Sequence, residues 1–416
     1  MLEVSGDGPE FDLHIERWQS IVRKLFEKLD WQSQPIRVRR HHGGAFLVIG
    51  APVDLLYTAT EVNELAWIAS LDSATGPPRD VVDTLSEAAA SEADPGARHL
   101  HEAALSAGVV CMVDEDGVSL GTGKHVRHFP PGHAPDPATV DFTTVSRVPT
   151  AVITGTNGKT TTARMLGAMV TQAGYIAGIT STDRIEVGGE TVARGDYSGP
   201  GGARRVLRDS RVEIAILETA RGGLLRRGLA VGQADVAIIT NIAEDHLGDG
   251  GVDDLDALAD VKFLVTRALD HDAAAVLNWD DPRLRQRAEK LDCRVIGVAL
   301  DSGPPPTDSA CWLAGDTVML RIDSHDHSLI CVNDIPASLH GHARHNVANA
   351  MAAAAGARAL GLPLETICDT LRTFGENPAD NPGRAEHHTL DGVHYLVDFA
   401  HNPHGFEAVL LSLIHI

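Results

Sequence analysis

Basic residues and cysteines are both scarce in this sequence. Thirty-five Lys and Arg stand against 57 Asp and Glu, which gives a formal net charge of −22 over 416 residues. That balance argues against a protein that wraps around nucleic acid or lies on an anionic membrane. The five cysteines are scattered and never spaced as CxxC, so neither a disulfide framework nor a zinc site is indicated, and we expect a reducing, cytoplasmic environment.

Long apolar runs are also missing. No stretch approaches the roughly 18 apolar residues of a membrane span, and the first residues lack the basic and apolar segments of a secretion signal. Glycine and proline occur at ordinary frequency, while 43% of the residues are apolar. This excludes a collagenous or mainly disordered chain and leaves enough apolar side chains for several cores.

The texture of the sequence changes near a proline-rich stretch at residues 130–149. Residues 1–147 are predicted to form a separate α+β domain, with strands at 45–52 and 108–121 and helices at 61–70 and 81–93; no motif there indicates a role. From 148 to 378, near-continuous Ala, Val and Ile runs alternate with helical patterns. Such runs are typical of strands buried on both faces of a parallel sheet, so we predict a doubly wound α/β domain.

The motif with the clearest chemistry is ITGTNGKTT, residues 153–161, between an apolar strand and a helix. Its glycines allow successive backbone N–H groups and the helix N-terminus to face an anion. Lys159 is expected to reach the β- and γ-phosphates of a nucleotide, and the Thr160 hydroxyl to ligate Mg²⁺. The loop departs from the general Walker pattern, because Ile153 stands five residues before Gly158. The predicted nucleotide-binding residues are Gly155, Thr156, Asn157, Gly158, Lys159, Thr160 and Thr161.

This loop resembles the phosphate loop of the Mur ligase family. Further segments resemble the blocks of that family in the same order: 216–229, 240–248, 276–282, 341–355, 381–384 and 398–403. GDYSGPGGARRVLRD and ETARGGLLRRGL are similar, more narrowly, to the Mur-ligase-like half of cyanophycin synthetases, which adds arginine to an aspartyl β-carboxylate in a growing polymer. The chain has no room for the ATP-grasp domain that those enzymes also carry.

The resemblance implies an ATP- and Mg²⁺-dependent carboxylate–amine ligase that acts through an acyl phosphate on an amino acid or an acidic peptide. It makes Glu218, at the end of an apolar strand, a Mg²⁺ ligand beside Thr160, and His246 the ligand of a second Mg²⁺. The alternatives are a surface carboxylate and a structural histidine. Lys262 is either a carbamylated lysine that bridges the metals or an exposed helical lysine, and the sequence leaves both open.

Other site residues are expected on the same grounds. Asn346 and Asn349 project from one helix face, which the resemblance places beside the adenine. Arg384 and Asp398 are expected to reach ATP from the third region, and the guanidinium fork of Arg384 suits a phosphate. Arg221, flanked by glycine, is our candidate for substrate contact; the other arginines of 204–227 would line an acidic-substrate groove or form a solvated face. The predicted catalytic residues are Lys159, His246, Lys262 and Arg221.

The sequence changes character again near its end. We expect residues 379–410 to begin a Rossmann-like third domain that is truncated, and residues 411–416 to be a non-native tail, so that this 416-residue form would bind nucleotide weakly and ligate little. A different class also fits, a nucleotide-binding module that regulates or scaffolds a larger synthetase. A homo-oligomer is compatible with either class.

Overall fold

The computed structural model describes residues 1–72, 79–322 and 324–414. The chain divides into two compact units, the first with residues 1–121, 127–146 and 248–253, and the second with 122–126, 147–247 and 254–416. The final two residues of the expected non-native tail, 415 and 416, lie outside the described residues. The division of the second unit into a central and a third domain stays a prediction.

The first unit combines helices with two small antiparallel sheets, ordered β1-β3-β2 and β4-β5-β6. Helix α1 buries Phe11, Trp18 and Leu25 in the core that it shares with β3 and α2. The indole of Trp18 donates to Asn63 Oδ1 at 3.0 Å, which satisfies its buried N–H group. The elements are β1 (Leu2–Ser5), α1 (Gly8–Leu29), β2 (Ile36–His41), β3 (Gly44–Ile49), α2 (Leu56–Leu71), α3 (Arg79–Glu92), α4 (Pro95–Ser106), β4 (Cys111–Asp114), β5 (Gly117–Leu120) and β6 (Arg127–Phe129).

The second unit is built on an 11-stranded sheet. Its elements are β7 (Thr150–Thr154), α5 (Lys159–Gln172), β8 (Ala177–Thr180), β9 (Arg184–Val187), β10 (Glu190–Arg194), α6 (Pro200–Arg208), β11 (Ile214–Glu218), α7 (Arg221–Arg227), β12 (Ala234–Ile239), α8 (Leu255–Phe263), β13 (Leu269–Asn278), α9 (Pro282–Ala288), β14 (Arg294–Ala299), β15 (Ser309–Ala314), β16 (Thr317–Ile322), β17 (His325–Cys331), α10 (Arg344–Ala359), α11 (Leu364–Thr373), β18 (Glu386–Leu390), β19 (Val393–Val397) and α12 (Pro403–Ile414).

The strands of the large sheet run in the order β10-β9-β8-β11-β7-β12-β13-β14-β15-β16-β17. Those from β8 to β15 in this order pair in parallel, and antiparallel strands extend both edges. Strands β7 and β11 are buried along their whole length because helices cover both faces. The predicted doubly wound α/β fold is therefore confirmed.

The position of β7 determines where a ligand can bind. The chain moves from β7 to one side for β8 and β11 and to the other side for β12, so the direction of strand order reverses at β7. In open α/β sheets, the crevice at such a reversal, beyond the carboxyl ends of the strands, is where ligands bind. The loop at 155–158 leaves β7 at this edge.

The last described segment, β18, β19 and α12, consists of an antiparallel pair followed by a helix, and it belongs to the second unit. No helix in the described part of the chain combines the length and the apolar character that a membrane crossing requires.

Candidate functional site

The phosphate loop, residues 155–158, is hydrogen-bonded to the two residues that follow β12, Thr240 and Asn241. The backbone N–H groups of Thr156 and Asn157 donate to the main-chain and side-chain oxygens of Asn241, each at 3.0 Å. The Thr240 hydroxyl and the Asn241 amide both donate to Asn157 O, at 2.6 and 2.9 Å. These bonds fix the conformation of the loop. The N–H groups of the first turn of α5 have no partner inside the helix and can therefore bind an anion.

Two loop positions require glycine. Gly155 has φ +149°, and a Cβ atom there would lie 1.9 Å from Thr240 Oγ1. Gly158, the N-cap of α5, has φ +83°, and a Cβ atom there would lie 2.1 Å from Asn349 Oδ1. Both the backbone conformation and the close approach of a neighbour exclude side chains here.

The ammonium group of Lys159 is folded back over its own loop. Its Nζ atom donates to Gly155 O at 3.1 Å and to Thr156 O at 2.9 Å. The cation therefore lies over the loop, and its contact with the phosphates of a nucleotide stays a prediction.

Thr160 and Glu218 are in direct contact. The Thr160 hydroxyl donates to Glu218 Oε2 at 2.8 Å and lies 3.2 Å from the hydroxyl of Thr182. Only 2% of Glu218 is exposed, and its Oε1 atom is buried without a hydrogen-bond partner. Burial raises the pKa of this carboxyl, and the ammonium of Lys159 offsets part of the effect. The alternative of a surface carboxylate at Glu218 is therefore wrong.

These donors fit a magnesium ion. Mg²⁺ is usually bound through one or two carboxylates, with phosphate oxygens and water completing its shell. Glu218 supplies a carboxylate oxygen that lacks a partner, and Thr160 supplies a hydroxyl oxygen beside it. Among the described residues, no three or more His, Cys, Asp or Glu side chains form a cluster that could hold a metal by themselves. A bound metal would thus depend on the nucleotide for further ligands.

Lys262 lies beneath the phosphate loop. It is 2% exposed, and its Nζ atom donates to Gly155 O at 2.8 Å, so the alternative of an exposed helical lysine is wrong. Burial lowers its pKa well below the usual value; the nearby Lys159 lowers it further, while Asp245 acts in the opposite direction. The carbonyl of Gly155 therefore receives hydrogen bonds from both Lys159 and Lys262.

His246 lies apart from this pair of metal-ligand candidates. Its side chain is 63% exposed, and its Nε2 atom lies 3.8 Å from Asp245 Oδ1. The described residues that line the cavity beside the phosphate loop include Thr160 and Glu218 but not His246. His401, which does line the cavity, approaches the same Asp245 oxygen at 3.9 Å. Arg221 donates to His246 O at 2.8 Å, so two predicted catalytic residues are joined through the main chain.

Helix α10 brings the two predicted asparagines to the loop. Asn349 donates to Asn346 Oδ1 at 3.1 Å, and Asn346 donates to Ala337 O at 2.8 Å. Both line a cavity of about 590 Å³, a size usual for small-molecule sites. His345, adjacent to them, also lines this cavity; its Nδ1 atom is buried without a partner, and burial lowers its pKa.

Residues 381–404 complete the cavity. Asn157 and Asn402 exchange side-chain hydrogen bonds of 3.1 and 3.0 Å. The Asp398 carboxylate accepts from the N–H groups of Ala385 and Ala400, each at 2.7 Å. Arg384 lies over the ring of Phe399, 4.3 Å from its centroid. The structure therefore brings Arg384 and Asp398 to the same cavity as Lys159 and Thr160.

Several site residues escaped the sequence analysis, among them Asn241, His345, Asn402 and His404. Asn402 lies inside the segment 398–403 that resembles the Mur ligase family, and a search of that segment for amides would have found it. His345 directly precedes the predicted Asn346. Asn241 lies in the segment 240–248, two residues after the end of β12, so the same search would have found it.

The remaining arginines of 204–227 differ in their surroundings. Arg211 forms ion pairs with Asp209 and Glu190 at 2.7 and 3.1 Å, as expected for a solvated face. Arg205 lies 5.6 Å from the ring centroid of Tyr197. The substrate-groove alternative stays a prediction.

The central part of the chain also matches known proteins in sequence. The Mur ligase middle-domain profile matches residues 153–357. The chain is 39% identical over 274 residues to cyanophycin synthetase of Synechocystis sp., covering 64% of this chain and 31% of that protein. It is 30% identical over 278 residues to the UDP-N-acetylmuramoyl-L-alanyl-D-glutamate–2,6-diaminopimelate ligase of Geobacter sulfurreducens, covering 64% and 52%.

Solved structures with a similar arrangement include MurF from Acinetobacter baumannii, with a TM-score of 0.47 and 21% identity, covering 65% of this chain and 55% of that one. Another is folylpolyglutamate synthase of Mycobacterium tuberculosis complexed with ADP, with a TM-score of 0.47, 23% identity and coverages of 64% and 66%.

The match is to part of each curated relative, since the chain spans about a third of the cyanophycin synthetases and half of the Geobacter ligase. The span matched by the profile contains the phosphate loop and four of the segments expected from the sequence, 216–229, 240–248, 276–282 and 341–355. Residues 153–357 of this chain are therefore a Mur ligase middle domain, related in sequence to cyanophycin synthetases.

Proposed function

We propose that this protein is an ATP- and Mg²⁺-dependent ligase that joins a carboxylate to an amine through an acyl phosphate. The observation that carries the proposal is the Thr160–Glu218 pair at the start of α5, with its buried, unpartnered carboxylate oxygen in the same cavity as Lys159 and Arg384. Such a site suits a nucleoside triphosphate with its bound Mg²⁺.

The chemistry explains why cations are needed there. Activation of a carboxylate transfers the γ-phosphoryl group of ATP to a carboxylate oxygen, which brings two anions together. The ammonium of Lys159 and the guanidinium of Arg384 would offset that charge, while the N–H groups at the start of α5 orient the phosphates. Bound Mg²⁺ would supply further charge neutralisation at Thr160 and Glu218. The amine then attacks the acyl carbon, and inorganic phosphate leaves.

The substrate class is inferred from the relatives. Similarity to cyanophycin synthetases favours an aspartyl carboxylate as the acid and an amino acid such as arginine as the amine. Arg221 would contact the acidic substrate, since it starts α7 and is held at the main chain of His246. His246 would bind a second Mg²⁺ after a rearrangement that brings its exposed ring toward the phosphates.

Two alternative roles for Lys262 are compatible with this proposal. As a protonated amine it would hold the Gly155 carbonyl, and as a neutral amine it could be carbamylated by CO₂. Its burial and lowered pKa support a neutral fraction. An increase in ligase activity on addition of bicarbonate that is absent in Lys262→Arg would favour carbamylation. Activity that does not depend on bicarbonate would favour an unmodified amine.

The test is phosphate release from ATP, measured with a panel of acids and amines and with the Lys159→Ala variant as background. The proposal predicts release above that background only when an acid and an amine are both present. Nucleotide binding that no acid or amine affects, together with background-level release, would instead indicate a nucleotide-binding module that regulates a separate synthetase.

A further inference from the structure

Arg164 is a buried arginine on the phosphate-loop helix, one turn after Thr160. Its side chain is 5% exposed. A guanidinium carries five N–H donors and no acceptor, so at this depth it requires oxygen partners. Those partners come from outside its helix. Nη1 donates to Asn381 Oδ1 at 3.1 Å and to Pro382 O at 3.2 Å, and Nη2 donates to Asp183 Oδ2 at 2.5 Å.

Asn381 makes a second connection between the same two segments. Its amide donates to the Thr161 hydroxyl at 3.2 Å and to Arg384 O at 3.3 Å. Asn381 is 7% exposed, so these bonds form out of solvent, where they are stronger. Residues 381–384 are thus bonded to two positions three residues apart on α5, Thr161 and Arg164.

Asp183 connects Arg164 with the cavity. One carboxylate oxygen accepts from Arg164, and the other lies 3.5 Å from Nη2 of Arg384. Arg384 also donates to Gly383 O at 3.1 Å and lies over the Phe399 ring. A carboxylate between two guanidinium groups fixes their separation. Asp183 therefore links the guanidinium group of Arg164 to that of Arg384 at the cavity.

The charges around Arg164 do not favour its burial. Three guanidinium groups, those of Arg164, Arg184 and Arg384, face the carboxylates of Asp183 and Glu186. Burial and the neighbouring Arg184 lower the pKa of Arg164 to about 10 in spite of Asp183. Apolar side chains often replace buried ionic groups at no loss of stability. Stability alone thus gives no reason for a guanidinium at this position.

We propose that Arg164 is a positioning residue that holds residues 381–384 against the phosphate-loop helix and thereby places Arg384 beside the terminal phosphate of the nucleotide. The last clause rests on the proposed function, whereas the holding of 381–384 does not. Arg164 itself touches no reacting atom in this scheme; it acts through Asp183, Asn381 and the main chain of Pro382.

Hydrogen–deuterium exchange without nucleotide tests the holding role. Arg164→Met is compared with Arg184→Met, a matched control, because Arg184 belongs to the same charge cluster but bonds to Glu186 on its own strand. We expect faster exchange of peptides spanning 381–402 in Arg164→Met and wild-type exchange in Arg184→Met. Equal exchange in wild type and Arg164→Met would overturn the proposal.

A second variant protects the test from a folding defect. Asn381→Ala removes the side-chain bonds to Arg164 and Thr161 while leaving the buried guanidinium in place, and it should accelerate exchange over the same peptides. If Arg164→Met does not fold, the result for Asn381→Ala decides: unchanged exchange overturns the proposal, and acceleration supports it. Arg164→Lys should restore only part of the protection, because an ammonium lacks the planar fork that joins three acceptors.

Nucleotide affinity tests the placement of Arg384. In Arg164→Met, Arg384 should lose its charge-assisted bond to the γ-phosphate. ATP binding should then weaken by about tenfold or more, whereas the affinity for AMP should not change. Equal weakening for ATP and AMP would overturn the placement of Arg384. Wild-type protein that binds neither nucleotide would contradict the proposed function, and the exchange experiment would still decide the holding role.

Discussion

Replacing Gly158 by alanine is expected to weaken ATP binding strongly while most of the fold survives. Gly158 has φ +83°, a conformation that costs an L-residue about 1–2 kcal/mol. The new Cβ would also lie 2.1 Å from Asn349 Oδ1 and 3.0 Å from Asn349 Cγ. Asn349 is 6% exposed and its amide is bonded to Asn346, so it has little room to turn away.

Relief of that contact therefore has to come from the start of α5. A shift there displaces the N–H groups that face the phosphates, and each charge-assisted bond lost is worth about 1.5–3 kcal/mol, or about 10- to 150-fold in affinity. Calorimetric titration with ATP and Mg²⁺ measures this loss directly. Chemical denaturation of the same variant measures the accompanying change in the free energy of unfolding.

Gly174→Ala is the matched control. Gly174 lies just beyond α5 with φ +86°, and no atom lies within 4 Å of the Cβ that it would gain. It carries the backbone strain without the contact, so we expect a loss of about 1–2 kcal/mol in unfolding free energy and unchanged ATP affinity. If Gly158→Ala binds ATP as tightly as Gly174→Ala, the assigned role of the loop is refuted.

Four further predictions concern charged groups of the site. Lys159→Ala should raise the Kd for ATP by about 10- to 150-fold with little change in stability, because its ammonium donates to the carbonyls of its own loop; unchanged affinity by calorimetry would exclude a phosphate contact. Glu218→Gln and His246→Ala should each impair Mg²⁺-dependent turnover more than ATP binding, and full turnover at limiting Mg²⁺ in either variant would show that the residue is no ligand. Burial raises the pKa of Glu218, so the folded state keeps this proton up to a higher pH than the unfolded state does. The free energy of unfolding therefore falls as pH rises from the unfolded-state pKa to the folded-state pKa of this group. Glu218→Gln without ligand should therefore gain thermal stability over wild type at pH 8 and less at pH 4.5; a gain independent of pH would contradict the assignment. Lys262→Met should weaken ATP binding by loss of its bond to Gly155 O, and wild-type affinity would show that the loop holds its shape without it.

The sheet and the phosphate loop could be predicted because their signals are local. Apolar runs such as those of β7 and β11 indicate strands buried on both faces, and the loop lies between one such strand and a helix. Asn346 and Asn349 were expected on one helix face because their spacing is one turn. Each of these inferences needs only neighbouring residues.

The contacts that complete the site connect residues far apart in sequence. Lys262 lies in a helix whose pattern is compatible with exposure, and its acceptor, Gly155, is 107 residues away. Arg164 bonds to Asn381 across 217 residues. No periodicity records such pairs, because they form only when α8 is brought beside the phosphate loop and the 381–384 segment beside α5. Their energetic effect is therefore visible only in the folded structure.

The most direct test of the central claim follows oxygen through the reaction. A peptide rich in aspartate, labelled with heavy oxygen in its side-chain carboxylates, is incubated with ATP, Mg²⁺ and arginine, and the released phosphate is analysed by mass. Transfer of the γ-phosphoryl group to a carboxylate followed by attack of the amine leaves one labelled oxygen in each phosphate, and this is the result we predict. Phosphate that is released at a rate above the Lys159→Ala background but carries no label would mean that water is the acceptor, and would contradict the proposed ligase.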